Sequence, residues 1–355
     1  MSHLTYAEAV VVGLIQGVTE LFPVSSLGHN VLLPAIVGGS WAEDLNVAAP
    51  ESPYLAFVVG LHVATAIGIM IYFWRDWVRI VRGFCTSVRH LRVQTVDEKL
   101  CWFLIVATIP VGLVGLIFEH EFRVLFAKPI RAAIFLIVNG LILYAGERFR
   151  TQRSRQADAD QAARRAELAA IGAGTAGPSP AGAALDDNSF NGGGPPMAPA
   201  RRPAAAHASG QRAIRRQEEI QALESDARLS RIGWMEAVII GSAQILALLA
   251  GISRDGVTMV AGMFRGLSRQ DAARFAFLLA TPVILAAGVL KAPDLTGSLS
   301  KGIHGQILVG SIFAGVGAYL SVRFLVRYFQ TRTLTPFAVY CVVFGLASIV
   351  YLQLK

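Results

Sequence analysis

The chain has 355 residues, of which 54% are hydrophobic and 16% charged, against roughly a quarter charged in an ordinary soluble domain, so a water-soluble globular protein is excluded. The net charge of +8 does not point to nucleic acid, because the arginines cluster beside apolar blocks as topology signals rather than along an amphipathic surface. The scattered Cys85, Cys101 and Cys341 form neither a disulfide framework nor a zinc-ligand spacing.

In chain order, residues 1–33 are apolar but contain Glu8 and Glu20 and lack a basic start and a small-residue cleavage site, which argues against a cleaved signal peptide. Gln16 and Glu20 stand four apart, on one face of a helix, and Pro23 then interrupts that helix. Spans are expected around 54–73, 102–118 and 130–146, each near the roughly 20 residues that cross a bilayer. Residues 151–230 are rich in Ala, Gly, Pro, Arg and Gln and poor in aromatics. Such a segment cannot bury enough apolar area to offset chain entropy. It is expected to be a mostly disordered cytoplasmic insertion, with short helices near 156–171 and 211–228 around a flexible centre containing Asn191-Gly-Gly-Gly-Pro-Pro. Further spans fall around 275–291, 306–322 and 336–353. Arg-rich stretches at Arg75–Arg92, Arg148–Arg216, Arg265–Arg274 and Arg323–Arg332 are placed in the cytoplasm by the positive-inside tendency. The loops near 119–128 and 292–303, and the C-terminus, then face outside. Residues 233–263 begin and end inside, so they must dip into the membrane and return, as re-entrant segments do where protein or a watery cavity satisfies their backbone.

An internal repeat organises the whole. Glu8-Ala-Val-Val-Val-Gly-Leu-Ile-Gln16 matches Glu236-Ala-Val-Ile-Ile-Gly-Ser-Ala-Gln244, and the same register pairs Ser25 with Ser253 and Gly28 with Gly256. Three expected spans lie between the copies, so the second enters from the opposite side. The predicted fold is therefore all-α: a polytopic membrane protein with two inverted-topology repeats, each containing a re-entrant helical hairpin. Residues 1–150 form membrane repeat 1, 151–230 the insertion, and 231–355 membrane repeat 2.

Each copy carries a polar cluster inside apolar sequence. The first reads Gln16-Gly-Val-Thr-Glu20-Leu-Phe-Pro23-Val-Ser25-Ser26-Leu-Gly28-His29 and the second Gly251-Ile-Ser253-Arg254-Asp255-Gly256-Val-Thr258. A buried charge costs about 3 kcal/mol even on the most lenient insertion scale, and each cluster supplies what the other lacks. The combination suits phosphoryl transfer from a lipid diphosphate. Arg254 would grip the phosphate, with Ser25, Ser253 and Thr258 as polar contacts. Gly251 and Gly256 would let backbone amides approach at a helix N-terminus. Glu20, with help from Gln16, would hold a divalent cation, Mg2+ or Ca2+. His29 would be a general acid or base, and Ser26 a nucleophile or polar partner. Each also has a structural reading: Ser25 and Ser26 as helix caps, His29 satisfied by a backbone carbonyl, Thr258 bonded to its own helix, and His62, Glu8 and Glu236 as structural or interfacial. No P-loop, kinase or zinc-hydrolase motif is present.

These stretches closely resemble the undecaprenyl-diphosphate phosphatase family, the bacitracin-resistance type of membrane phosphatase. The likeness rests on Gln16-x-x-x-Glu20, Phe22-Pro-Val-Ser-Ser26-x-Gly-His29 and Gly251-x-Ser-Arg-x-Gly-x-Thr258. It continues through Gly266-Leu-Ser-Arg269 and Ala272-x-x-Phe275-x-Phe277-Leu-Leu279-x-x-Pro282. The resemblance implies an enzyme that hydrolyses undecaprenyl diphosphate to the monophosphate and inorganic phosphate, recycling the lipid carrier of cell-wall synthesis. It further implies a divalent cation and a multi-pass location in the bacterial plasma membrane, with the site facing the outer side. A homodimer is a possible assembly. By position the family's functional residues fall on Gln16, Glu20, Ser26, His29 and Arg254. Departures from the pattern are Gln16, Leu27, His62, Ala250 and Asp255; Asp255 could pair with Arg254 and compete with phosphate, or supply to the cation the carboxylate that Gln16 lacks. The alternative reading is a transporter that flips a polyprenyl phosphate or another anionic lipid without hydrolysis, since inverted repeats with broken helices also build transporters.

Overall fold

A computed structural model describes residues 4–45, 53–126, 128–175, 216–217, 219–297, 300 and 302–355; among these, regular structure is helical throughout. The helices are α1 (Tyr6–Thr19), α2 (Ser26–Val37), α3 (Ser40–Asp44), α4 (Pro53–Tyr72), α5 (Trp74–His90), α6 (Val96–Phe126) and α7 (Pro129–Thr175). They continue with α8 (Glu219–Leu229), α9 (Trp234–Ser242), α10 (Arg254–Phe264), α11 (Arg269–Leu290), α12 (Ala292–Thr296), α13 (His304–Thr331) and α14 (Thr335–Leu354). A 3-10 turn over Ala243–Leu248 extends α9. Helices α4, α6, α7, α11, α13 and α14 are long and apolar enough to cross a membrane, and they coincide with the six expected spans. Helix α6 runs on to Phe126, through most of the segment expected to be a loop.

Two helix pairs are too short to span. At 1.5 Å per residue, the 14-residue α1 is only about 21 Å long, and Pro23 stops its continuation. Thr5 and Glu8 start α1 by reciprocal capping, Glu8 Oε2 accepting the Thr5 N–H at 2.7 Å and Thr5 Oγ1 the Glu8 N–H at 3.2 Å, and Glu236 makes the carboxylate half of that cap on α9 by accepting the Gly233 N–H at 2.9 Å. The matched glutamates of the repeat are therefore helix starters.

Contacts locate the ends of each pair. At the start of α1 the Leu4 carbonyl accepts from Gln306 Nε2 at 3.0 Å, and the α2 terminus at Gly38 abuts the Lys355 side chain. Both ends thus lie where α13 begins and α14 finishes. The break between α1 and α2 lies toward the other end, where Phe22 stacks on Phe324 at 5.9 Å and meets Phe337 edge-on at 5.5 Å. For the second pair, Arg265 just after α10 pairs with Glu236 at the start of α9 at 3.0 Å. Arg269 then holds Glu147 of α7 at 2.7 Å, and Glu147 Oε2 accepts the Leu334 N–H at 3.1 Å. The ends of α9 and α10 accordingly lie where α14 begins.

The chain divides into residues 1–150 with 225–355, and residues 151–224. In the second unit, helix continues unbroken from α7 to Thr175, where a separate helix near 156–171 was expected. No Gly or Pro falls between Glu147 and Ile171, and an Ala-, Arg- and Gln-rich run propagates a helix already nucleated. The expected flexible centre, residues 211–215 of the second expected helix, and residue 218 lie outside the described residues. Ser225 and Asp226 pack fully buried in the first unit. Asp226 pairs with Arg79 and Arg274, each at 2.8 Å, while Asp271 accepts from Ser225 Oγ at 2.6 Å and from Arg228 at 2.9 Å. This network joins residues 225–230, read from composition as the end of the insertion, to the membrane unit.

Candidate active site

Helix α1 carries Gln16 and Glu20 on one buried face. Gln16 Nε2 donates to Glu20 Oε2 at 2.8 Å, and Gln16 Oε1 accepts from Asn30 Nδ2 at 2.8 Å. The chain then breaks at Pro23 and restarts through Ser25, whose φ of 69° is a strained value for a residue with a side chain. Ser25 Oγ caps α2 by accepting the Gly28 N–H at 3.2 Å, which places Ser26 first in that helix. Ser26 Oγ donates to Glu20 Oε2 at 2.5 Å. The second copy repeats the device: Ser253 Oγ accepts the Gly256 N–H at 3.2 Å and Arg254 comes first in α10. Arg254 Nη2 donates to Glu20 Oε1 at 3.0 Å. Ser26 and Arg254 occupy corresponding positions of the repeat (254 − 26 = 236 − 8 = 228), and both converge on one buried carboxylate.

The two breaks also touch. A Cβ on Gly28 would stand 3.0 Å from Gly251 Cα, and one on Gly256 would stand 3.3 Å from Pro23 Cβ. In the repeat register Pro23 corresponds to Gly251 and Gly28 to Gly256, so the contact is reciprocal, as across a two-fold axis. Gly251 has φ of 112°, and a Cβ there would collide with the Ala132 carbonyl and lie 2.7 Å from the Leu136 nitrogen, whereas Gly39, at φ 57°, has open space. Backbone strain alone costs about 1–3 kcal/mol. Gly251→Ala should therefore lower the melting temperature in detergent by several degrees more than Gly39→Ala; equal shifts would show that α7 does not press on the break.

The remaining expected residues take varied places. Asp255 is fully buried, with Oδ1 3.3 Å from Arg254 Nε and Oδ2 without a hydrogen-bond partner among the described residues. Thr258 Oγ1 donates to its own helix at the Arg254 carbonyl, 2.8 Å away. Ser25 and Ser253 act as caps, an arrangement that uses their lone pairs and leaves each hydroxyl proton to donate. His29 is turned elsewhere: Nδ1 faces the Ser25 carbonyl at 2.7 Å, Nε2 faces Tyr340 Oη at 2.7 Å, and the ring stacks on Phe344 with centroids 5.2 Å apart. Since a carbonyl only accepts, Nδ1 carries the proton.

Besides Asn30, two residues that sequence reasoning did not place in the site adjoin it. His62 of α4, read as structural, has Nε2 3.4 Å from Glu20 Oε2 while Nδ1 donates to the Val58 carbonyl at 2.9 Å. Asn139 of α7 bonds both breaks. The available signal was the same for each, a polar residue alone in mid-span.

Among the described residues, no group of three His, Cys, Asp or Glu side chains is arranged to hold a metal. The donors do have suitable chemistry, because Glu20 and Asp255 are carboxylates gathered on one arginine and hard divalent cations take oxygen ligands. The Gln16 oxygen already accepts from Asn30 and keeps a second lone pair.

The family described as "Bacitracin resistance protein BacA" matches residues 9–176 and 208–347. The undecaprenyl-diphosphatase of Mycolicibacterium paratuberculosis is 53% identical over 354 residues, covering 100% of this chain and 99% of the relative. That of Mycobacterium avium is 52% identical with the same coverage, and that of Acidiphilium cryptum is 36% identical over 347 residues, covering 96% of both.

Proposed function

The chain belongs to the bacitracin resistance protein BacA family, and from that membership we propose that it hydrolyses undecaprenyl diphosphate to the monophosphate and inorganic phosphate. The observation that carries the site assignment is the convergence of Ser26 and Arg254, from opposite halves of the sequence, on the Glu20 carboxylate. Arg254 spends one N–H on Glu20 and one on Asp255, and its remaining N–H groups can bind the terminal phosphate and stabilise the charge that develops on it. Glu20 already accepts the Ser26 hydroxyl proton, so it is positioned as the base for an attacking oxygen at that point, either Ser26 Oγ or a water that takes its place. That oxygen bonds to the terminal phosphorus, the bridging P–O bond breaks, and the lipid monophosphate departs with the electron pair. Where Ser26 attacks, a water then hydrolyses the phosphoserine. His29 fixes the strained Ser25 through its carbonyl. A divalent cation, Mg2+ or Ca2+, would be held by Glu20 and Asp255, with Gln16, and when bound would neutralise phosphate oxygens.

The two broken helix pairs are read as re-entrant hairpins of inverted repeats. In support, the ends of α1–α2 and of α9–α10 lie toward opposite ends of α14, and the breaks touch reciprocally. The arginines at Arg323–Arg332 favour a cytoplasmic α13–α14 turn, and this supports reading the open ends of α1–α2 as facing the outer side of a bacterial plasma membrane.

Purified protein in detergent should release phosphate from a C55 diphosphate, and a chelator should suppress that release. Lipid movement in proteoliposomes without phosphate release would favour the transporter reading, which no observation supports.

A further inference from the structure

Asn139 is fully buried in the first, apolar part of α7, and its amide joins the two breaks. Nδ2 donates to the Pro23 carbonyl at 2.9 Å and Oδ1 accepts the Ser253 N–H at 3.0 Å, while Cys341 Sγ lies 3.4 Å from Nδ2. The orientation of the amide is unambiguous, because one partner can only accept and the other can only donate. Both are backbone groups that an interrupted helix leaves without an internal partner.

We propose that Asn139 is a positioning residue that sets the two breaks in register, so that Arg254 meets Glu20. Pro23 lies three residues after Glu20 and three before Ser26, and Ser253 immediately precedes Arg254. A shift of one break against the other would therefore displace the guanidinium from the 3.0 Å contact with Glu20, and misplacement of about 1 Å is enough to cost a site much of its rate. An aliphatic side chain of similar size offers neither donor nor acceptor, and a serine hydroxyl is too short to reach both partners. Packing continues between α7 and the second break at Gly251, which abuts the Ala132 carbonyl; the amide adds a direct polar link from α7 to the first break at the Pro23 carbonyl.

The inference rests on the hydrolase reading above, and its test separates the two. Asn139→Leu is made in the full chain and assayed in detergent with a C55 diphosphate, alongside amide hydrogen exchange of peptides containing Ser253. The expected result is a kcat lower by at least about tenfold, a KM within about threefold of the unmodified protein, and faster exchange at the Ser253 amide. Should that variant fail to fold by gel filtration and thermal melting, Asn139→Ser is read in the same way. A folded variant with unchanged kcat and unchanged exchange overturns the proposal. If the unmodified chain releases no phosphate, the hydrolase reading is what fails, and the exchange measurement alone decides whether Asn139 holds the second break.

Discussion

Replacing Arg254 with alanine should reduce phosphate release from a C55 diphosphate at least about a hundredfold, equivalent to about 2.7 kcal/mol of lost transition-state stabilisation. The guanidinium is the site's anion-binding group, and its side chain is only 14% exposed, so water cannot readily replace it. The substitution also leaves Glu20 and Asp255 without their shared cation, and stranding a buried charge can itself cost about 3–5 kcal/mol of stability. Loss of activity therefore counts only in protein that still elutes as a single species and melts cooperatively. Arg254→Lys is the informative companion. Lysine keeps the charge but cannot reach Glu20 and Asp255 together with a planar fork, so activity between that of the alanine variant and the unmodified protein is expected. If Arg254→Ala is folded and retains turnover within a few-fold, the site is misassigned.

Glu20→Gln should be about as damaging, with a loss of at least about a hundredfold, although it changes almost nothing sterically. An amide can still accept from Arg254 or Ser26, but it neither takes a proton at neutral pH nor binds a hard cation strongly. The variant should consequently lose most of its response to added Mg2+ or Ca2+ along with its rate, and direct cation binding by calorimetry should weaken in parallel. Because Glu20 and Arg254 are in contact at 3.0 Å, the two substitutions act on one unit. The double variant should fall little below the worse single variant, since effects of groups that work together do not add. Multiplicative losses would show that the two side chains serve separate steps.

Much of this was legible in the amino-acid order. Six spans follow from the lengths of apolar runs, since the bilayer sets a length that hydropathy alone can meet. The convergence of Glu20, Ser26 and Arg254 was foreshadowed by the repeat, because polar residues at matched positions in apolar segments need partners and each copy lacked what the other held. The repeat also hid something. In the sequence Ser25 is open to two readings, phosphate contact or helix cap, and Ser253 reads as a phosphate contact; in the fold they cap α2 and α10, which only the backbone conformation shows, while each hydroxyl proton stays available to a phosphate.

Local chemistry, then, was determined by the sequence: where helices start, where proline and glycine interrupt them, and which segments are long and apolar enough to cross a membrane. Which side chains meet was decided by the tertiary structure. His62 and Asn139 each look like a lone polar residue in a span, and the Tyr340 partner of His29 comes from α14, 311 positions away. The reason is physical. Periodicity along one helix reports which face is buried, but the partner of a buried polar group comes from residues separated by tens to hundreds of positions, and only packing of the whole bundle brings them within hydrogen-bonding distance.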